Sequence, residues 1–124
     1  LENYVIMPGF KENPYKYMKN SDAFVLSSIS EAFPYVLLEA MICGVPIITT
    51  EYPSFKDIIT NNINGISVPI KDEKTLANAV AELLKNKERA KRLTENAIKK
   101  VKDMKREKIV NEYEKVFVEC YHNK

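Results

Sequence analysis

One histidine, two cysteines and no long apolar run leave several function classes without the residues they need. Cys43 and Cys120 stand far apart, in no CxxC or metal-like spacing, so they read as two reduced thiols of a cytosolic protein. His122 falls close to the end of the chain and is assigned no catalytic role. No apolar stretch approaches the roughly 20 residues that a membrane-spanning helix needs, and no signal peptide is visible. Internal repeats and linkers are absent as well. The chain opens on Leu1 rather than Met, from which the expectation is a segment cut from something longer.

What is present suffices for one domain. The chain has 124 residues, 45% of them hydrophobic, which is enough to bury a core. A net charge of +2 supplies no strong drive toward nucleic acid or membranes. The charge is uneven, however: residues 71–108 hold 13 Lys or Arg against 7 Asp or Glu, and the remainder is net acidic. Such a bias is ordinarily a solvated helical face, and the alternative is a surface that docks onto something anionic.

Short apolar runs alternate with helical patterns along the first half. Tyr4-Val5-Ile6-Met7, closed by Pro8-Gly9, reads as a buried strand. Asn13-Pro14 reads as a cap and first-turn proline of a short helix ending near Asn20. Ala23 to Leu26 is a second strand. Pro34 opens a helix to about Ile42, closed by Gly44 in the left-handed position. Pro46 to Thr49 is a third strand, Ser54 caps a helix through Ile59, Asn64-Gly65 turns, and Ile66 to Val68 is a fourth strand.

After Pro69 only helices are expected. One apolar stripe is Leu76, Val80, Leu83 and Leu84, with Ala77 and Ala81 beside it. A second is Ala90, Leu93, Ala97, Val101 and Met104, and a third is Ile109, Tyr113, Val116, Phe117 and Cys120. All three read as core-facing, with no chemistry attached. The predicted fold class is α/β, a Rossmann-like parallel sheet covered on both faces and followed by a helical tail.

Ligands of such sheets bind beyond the carboxyl ends of the strands. The crossing from Leu26 to Glu39 is dense in polar groups. With Pro34 at the first helical position, the amides of Tyr35, Val36 and Leu37 lack intrahelical partners. With the helix dipole they suit an anion the size of a diphosphate. Glu31 lies just ahead of this helix and is either a cap-region residue or a ligand-facing carboxylate. Glu39 lies inside it among apolar neighbours, where a charge needs a partner. It is either a salt-bridge or solvent-stripe residue, or an acceptor for two adjacent hydroxyls such as those of a ribose.

Glu31 and Glu39 with seven residues between, within Ser-Glu-Ala-Phe-Pro-Tyr-Val-Leu-Leu-Glu-Ala-Met-Ile-Cys-Gly-Val-Pro-Ile-Ile, resemble the signature of family 4 (group 1) glycosyltransferases of the GT-B fold. Val5 to Phe10, Asn13-Pro14-Tyr15, Asp22 to Ser27, Asn64 to Pro69 and the Ile109 to Phe117 helix resemble further parts of that family's nucleotide-sugar-binding (C-terminal) domain, so the likeness covers nearly the whole chain.

The resemblance implies a retaining, metal-independent transfer from a UDP- or GDP-linked sugar to a glycan or lipid-linked acceptor, with no cofactor. It places Glu31 beside the donor sugar as the catalytic residue, near the amides of Ala32 and Phe33. Val36 and Leu37 amides would hold the diphosphate, Glu39 the ribose, and Phe10 and Lys11 the base. No Asp-x-Asp of the metal-using kind is present. Two departures stand out: Ala32 where the family often has Gly, and Phe55-Lys56 where it commonly runs toward Gly-Pro.

In the family, two earlier strand–helix units with a Gly-rich turn and basic residues precede the part that resembles Leu1 onward, and an acceptor-binding half precedes those. The expectation is therefore that these residues catalyse no transfer alone. Sheets of this type order their strands 3-2-1-4-5-6. The Tyr4–Met7 strand would then lie two positions from the Ala23 strand, leaving open edges that invite local rearrangement or a homo-oligomer. Residence in the cytoplasm, at the inner face of the membrane in a longer parent, and a setting in polysaccharide synthesis go with the resemblance. A non-catalytic nucleotide-sugar-binding module, or another GT-B enzyme such as an epimerase, remains open.

Overall fold

Ile47 and Ile48 are adjacent in sequence and both are buried, at 1% and 0% exposure. Successive side chains of a strand point to opposite faces, so both faces of this strand must be covered. A computed structural model, which describes residues 3–32 and 34–104, shows how. The chain runs through α1 (Tyr15–Lys19), β1 (Phe24–Leu26), α2 (Tyr35–Cys43), β2 (Ile47–Thr50), β3 (Ile66–Val68), α3 (Glu73–Lys85) and α4 (Lys87–Asp103), with a 3-10 turn at Pro53–Phe55. The strands form one parallel sheet in the order β1-β2-β3. Phe24 lies opposite Ile47, and Ile48 lies opposite Ile66. This is the α/β, Rossmann-like class expected.

Ile47 packs with Leu37, Ala40 and Met41 of α2, with Phe55, Ile58 and Ile59, and with Ala97 of α4. Ile48 packs on the other side with Ile66, Val68, Ala79 and Leu83 of α3, and Leu93 of α4. α4 thus contributes to both layers. Gly44 ends α2 at φ 70°, with Gly44 N–H on the Met41 carbonyl and Val45 N–H on the Ala40 carbonyl. That pair of bonds is the Schellman arrangement, and it turns the chain straight into β2.

Four expectations are corrected. Tyr4–Met7 is not a strand: Tyr4, Ile6 and Met7 are 86–90% exposed, and the segment joins no sheet. A strand persists only where its backbone groups find partners, and among the described residues β1 is bonded to β2 alone. Pro14 and Pro34 occupy the cap positions of α1 and α2 rather than the first turn, and Asn13 caps nothing. Ser54 caps no helix through Ile59, since only the 3-10 turn forms. In α3 the buried stripe is Leu76, Ala79, Val80 and Leu83, whereas Leu84 is 48% exposed and Ala77 and Ala81 face solvent. The third apolar stripe, Ile109 to Cys120, and His122 lie outside the described residues, as does Phe33.

Candidate functional site

The three strands end together at Leu26, Thr50 and Val68, and the polar groups that follow them are tied to one another. Two threonines on β2 hold the exit of β1. Thr49, fully buried, donates its hydroxyl to the Leu26 carbonyl at 3.2 Å, and Thr50 donates to the Ser28 carbonyl at 2.5 Å. From that anchored position Ser28 donates to Glu31 Oε1 at 2.9 Å. Ser54, on the 3-10 turn after β2, donates to the Glu31 carbonyl at 3.1 Å. Glu31 is therefore held at its backbone and at one carboxylate oxygen, and among the described residues Oε2 has no hydrogen-bond partner. It is half-buried and caps nothing, because the cap position of α2 belongs to Pro34 and carries no side-chain cap.

The start of α2 lies three residues beyond. Its first turn contains no acidic side chain, so nothing within it offsets the positive end of the dipole. The Val36 amide belongs to that turn and has no intrahelical carbonyl to reach. Leu37 differs from expectation: its amide donates to the Pro34 carbonyl at 2.9 Å, because the chain tightens there into an i-to-i−3 bond. Of the two amides expected to face an anion, the one at Val36 is suited to it.

Glu39 stands in the middle of α2. Among the described residues it forms no salt bridge; its Oε1 accepts a hydrogen bond from the Tyr15 hydroxyl of α1 at 3.2 Å. The Glu39 carboxylate raises the Tyr15 phenol above its ordinary value, first by Coulomb attraction for the proton and then through the hydrogen bond. Phe10 is 91% exposed, and Lys11 is exposed beside it, just after Gly9 at φ 67°. Ala32 sits on an exposed bend next to Glu31.

Among the described residues, two cavities at the strand ends have neither Glu31 nor Glu39 in their lining. One of about 310 Å³ lies over all three strands, among Ser27, Ile29, Thr50, Pro69, Lys71 and Leu76. The other, about 350 Å³, lies between Thr50, Tyr52, Lys56, Asn61 and Ser67. Both carboxylates are partly exposed, Glu31 just ahead of α2 and Glu39 within it. Of the hydroxyls that fasten this region, Ser28, Thr50 and Tyr15 were not singled out from sequence, and Ser54 was read there only as a helix cap. The only signal for them was the density of hydroxyls just past each strand. Among the described residues no helix is long and apolar enough to cross a membrane.

Comparison with known proteins places this arrangement. The family model described as "Glycosyl transferases group 1" matches residues 1–100. N-acetyl-alpha-D-glucosaminyl L-malate synthase of Bacillus anthracis is 34% identical over 118 residues, covering 94% of this chain and 31% of that protein. Among solved structures, sucrose-phosphate synthase from Thermosynechococcus elongatus superposes with a TM-score of 0.76 at 26% identity, over 87% of this chain and 27% of that one. Anabaena HepE, solved in complex with UDP-glucose, superposes with a TM-score of 0.80 at 24% identity, over 83% and 29% respectively, and shares the fold. The chain thus spans about a third of the length of these relatives.

Proposed function

The chain belongs to the group 1 glycosyl transferases, and on that premise we propose that it carries the donor side of a retaining, metal-independent transfer from a UDP- or GDP-linked sugar. The single observation that supports this most is the fastening of Glu31. Ser28 and Ser54, from the loops after β1 and β2, hold it beside the start of α2, and among the described residues its second carboxylate oxygen has no partner. A sugar hydroxyl can donate to that oxygen. The diphosphate meets the Val36 amide and the positive end of α2, and Glu39 takes the ribose. Ala32 and Phe33 amides flank the sugar, and Phe10 and Lys11 meet the base.

In the reaction the bond between the anomeric carbon and the diphosphate oxygen breaks, and an acceptor hydroxyl oxygen takes its place on the same face. The nucleoside diphosphate departs with the charge that develops on it and takes up the proton that the acceptor hydroxyl loses. Fixed dipoles already aimed at that charge lower the barrier without reorganising as the bond breaks. In this reading Glu31 orients the sugar and contributes electrostatically. The acceptor is a glycan or a lipid-linked glycan.

Calorimetric titration of the chain with UDP- and GDP-linked sugars tests the donor assignment. Binding of at least one series, weakened by Glu31→Gln and Glu39→Gln, is expected; no binding by either series overturns it. For transfer, these residues replace the matching segment of a full-length group 1 enzyme, which is assayed in EDTA with the product anomer read by NMR. An inverted product, or activity lost to EDTA and restored by a divalent cation, overturns the retaining, metal-independent reading.

A further inference from the structure

We infer that Tyr15 is a positioning residue for nucleotide recognition, setting the Glu39 carboxylate for the donor's ribose and tying the base-side segment to α2. This rests on the assignment of Glu39 to the ribose.

α1 is five residues long and none of them is buried, so apolar packing holds it weakly. Its other side-chain hydrogen bonds and that of the following turn stay local: Asn20 donates to the Lys16 carbonyl and Ser21 to the Tyr17 carbonyl. The hydroxyl of Tyr15 is different. It crosses to Glu39 on α2 at 3.2 Å, 24 residues away in sequence. A glutamate on a helix surface otherwise samples several rotamers, and holding one of them before the ligand arrives removes that ordering cost from binding.

The geometry leaves the carboxylate competent. Tyr15 engages Oε1, and a carboxylate offers about four lone-pair sites in all. Two vicinal hydroxyls can therefore be accepted while the phenol remains in place. The Coulomb pull of Glu39 that raises the Tyr15 phenol keeps it a donor across the working pH range. Because α1 begins four residues after Lys11, the same bond tethers the segment assigned to the base to the helix assigned to the ribose and diphosphate.

The test compares UDP and GDP with their 2′,3′-dideoxy forms by calorimetry on the chain and on Tyr15→Phe, Glu39→Gln and Tyr15→Trp variants. Tyr15→Phe removes one exposed oxygen and should fold normally, which circular dichroism and the melting temperature check. The expected result is that Tyr15→Phe weakens the ribonucleotide about threefold to tenfold, the range of one net hydrogen bond, and leaves the dideoxy form unchanged. A purely structural tyrosine would weaken both forms alike, and that result overturns the inference. If Glu39→Gln abolishes ribose discrimination while Tyr15→Phe keeps all of it, the inference fails and the Glu39 assignment stands. If the unmodified chain does not distinguish the two forms, or binds neither nucleotide, the Glu39 assignment itself fails and takes the inference with it.

Discussion

Ser54 donates its hydroxyl to the backbone carbonyl of Glu31 at 3.1 Å, across 23 residues of sequence. The bond joins the turn after β2 to the loop after β1, so the backbone at Glu31 is fixed by a residue of a different loop. Ser28 does the same for the carboxylate.

Separate removal of these two hydroxyls should therefore have different signatures. Ser28→Ala frees the Glu31 carboxylate, and Ser54→Ala loosens its backbone. Ser54→Ala loses about 0.5–1.5 kcal/mol of net hydrogen bonding, whereas the carboxylate freed by Ser28→Ala is only part-buried and regains water, so its loss is smaller. Ser28→Ala is expected to weaken donor-sugar binding with little change in melting temperature, and Ser54→Ala to lower both. Titration with a nucleotide sugar alongside thermal melts checks this. Equal effects of the two variants on melting, with none on binding, would count against a role for the lattice in the site.

Gly44 and Gly65 are both needed, for different reasons, and substitution should separate them. Gly44 sits at φ 70°, while an added Cβ would meet only Ile98 Cδ1 at 3.5 Å and Thr94 Cγ2 at 4.0 Å. The cost of Gly44→Ala is therefore conformational, about 1 kcal/mol, and Gly44→Asn should recover part of it because asparagine tolerates the left-handed region. At Gly65 a Cβ would stand 3.0 Å from Ile59 Cγ2 and 3.3 Å from the Ile47 carbonyl, so Asn should be worse than Ala there. Denaturant midpoints of the four variants give the comparison. Recovery by Asn at Gly65 would contradict it.

These contrasts mark how far the chain can be read from its residues. Gly44 was legible because a helix stop is a local event, and β2 and β3 were legible because continuous apolar runs need burial on both faces; β1, expected to be buried as well, pairs with β2 but leaves Val25 40% exposed. Tyr4–Met7 has the same composition, yet whether it becomes a strand depends on neighbours that composition does not record. Glu31 and Glu39 stood out by spacing and by the cost of a charge among apolar residues. Tyr15 did not, and Ser54 stood out only as a helix cap, because their partners lie more than twenty residues away and a hydroxyl has many other uses. The Leu37 amide was misassigned because the tightening onto Pro34 is a matter of less than one helical turn.

Leu83 and Leu84 give a stability test of the corrected stripe. Leu83 is 1% exposed in the layer with Ile48 and Ile66, whereas Leu84 is 48% exposed. Leu83→Ala should lower the unfolding free energy by about 2–5 kcal/mol, and Leu84→Ala by less than about 0.5 kcal/mol. Urea titrations of the two variants decide the matter. Comparable losses would mean that α3 is rotated about its axis relative to the sheet.

Asp72 gives a pH test with a defined sign. It caps α3 by accepting from the Thr75 hydroxyl at 2.6 Å and the Thr75 amide at 2.9 Å, and these bonds, the hydroxyl first, hold its carboxyl below the ordinary aspartate range. A carboxyl whose value is lower folded than unfolded stabilises the fold fully above its unfolded value, near pH 4, and that stabilisation fades as pH falls through the lower folded value. The wild type should therefore melt above Asp72→Ala at pH 7, with the gap narrowing only below about pH 4. Thr75→Val removes the hydroxyl donor while keeping the amide, so it should shift the narrowing upward in pH and shrink the gap without abolishing it. Melts from pH 2.5 to 7 in matched ionic strength read both effects. A gap that widens toward acid would require the opposite shift at Asp72, which the two Thr75 donors rule out on physical grounds.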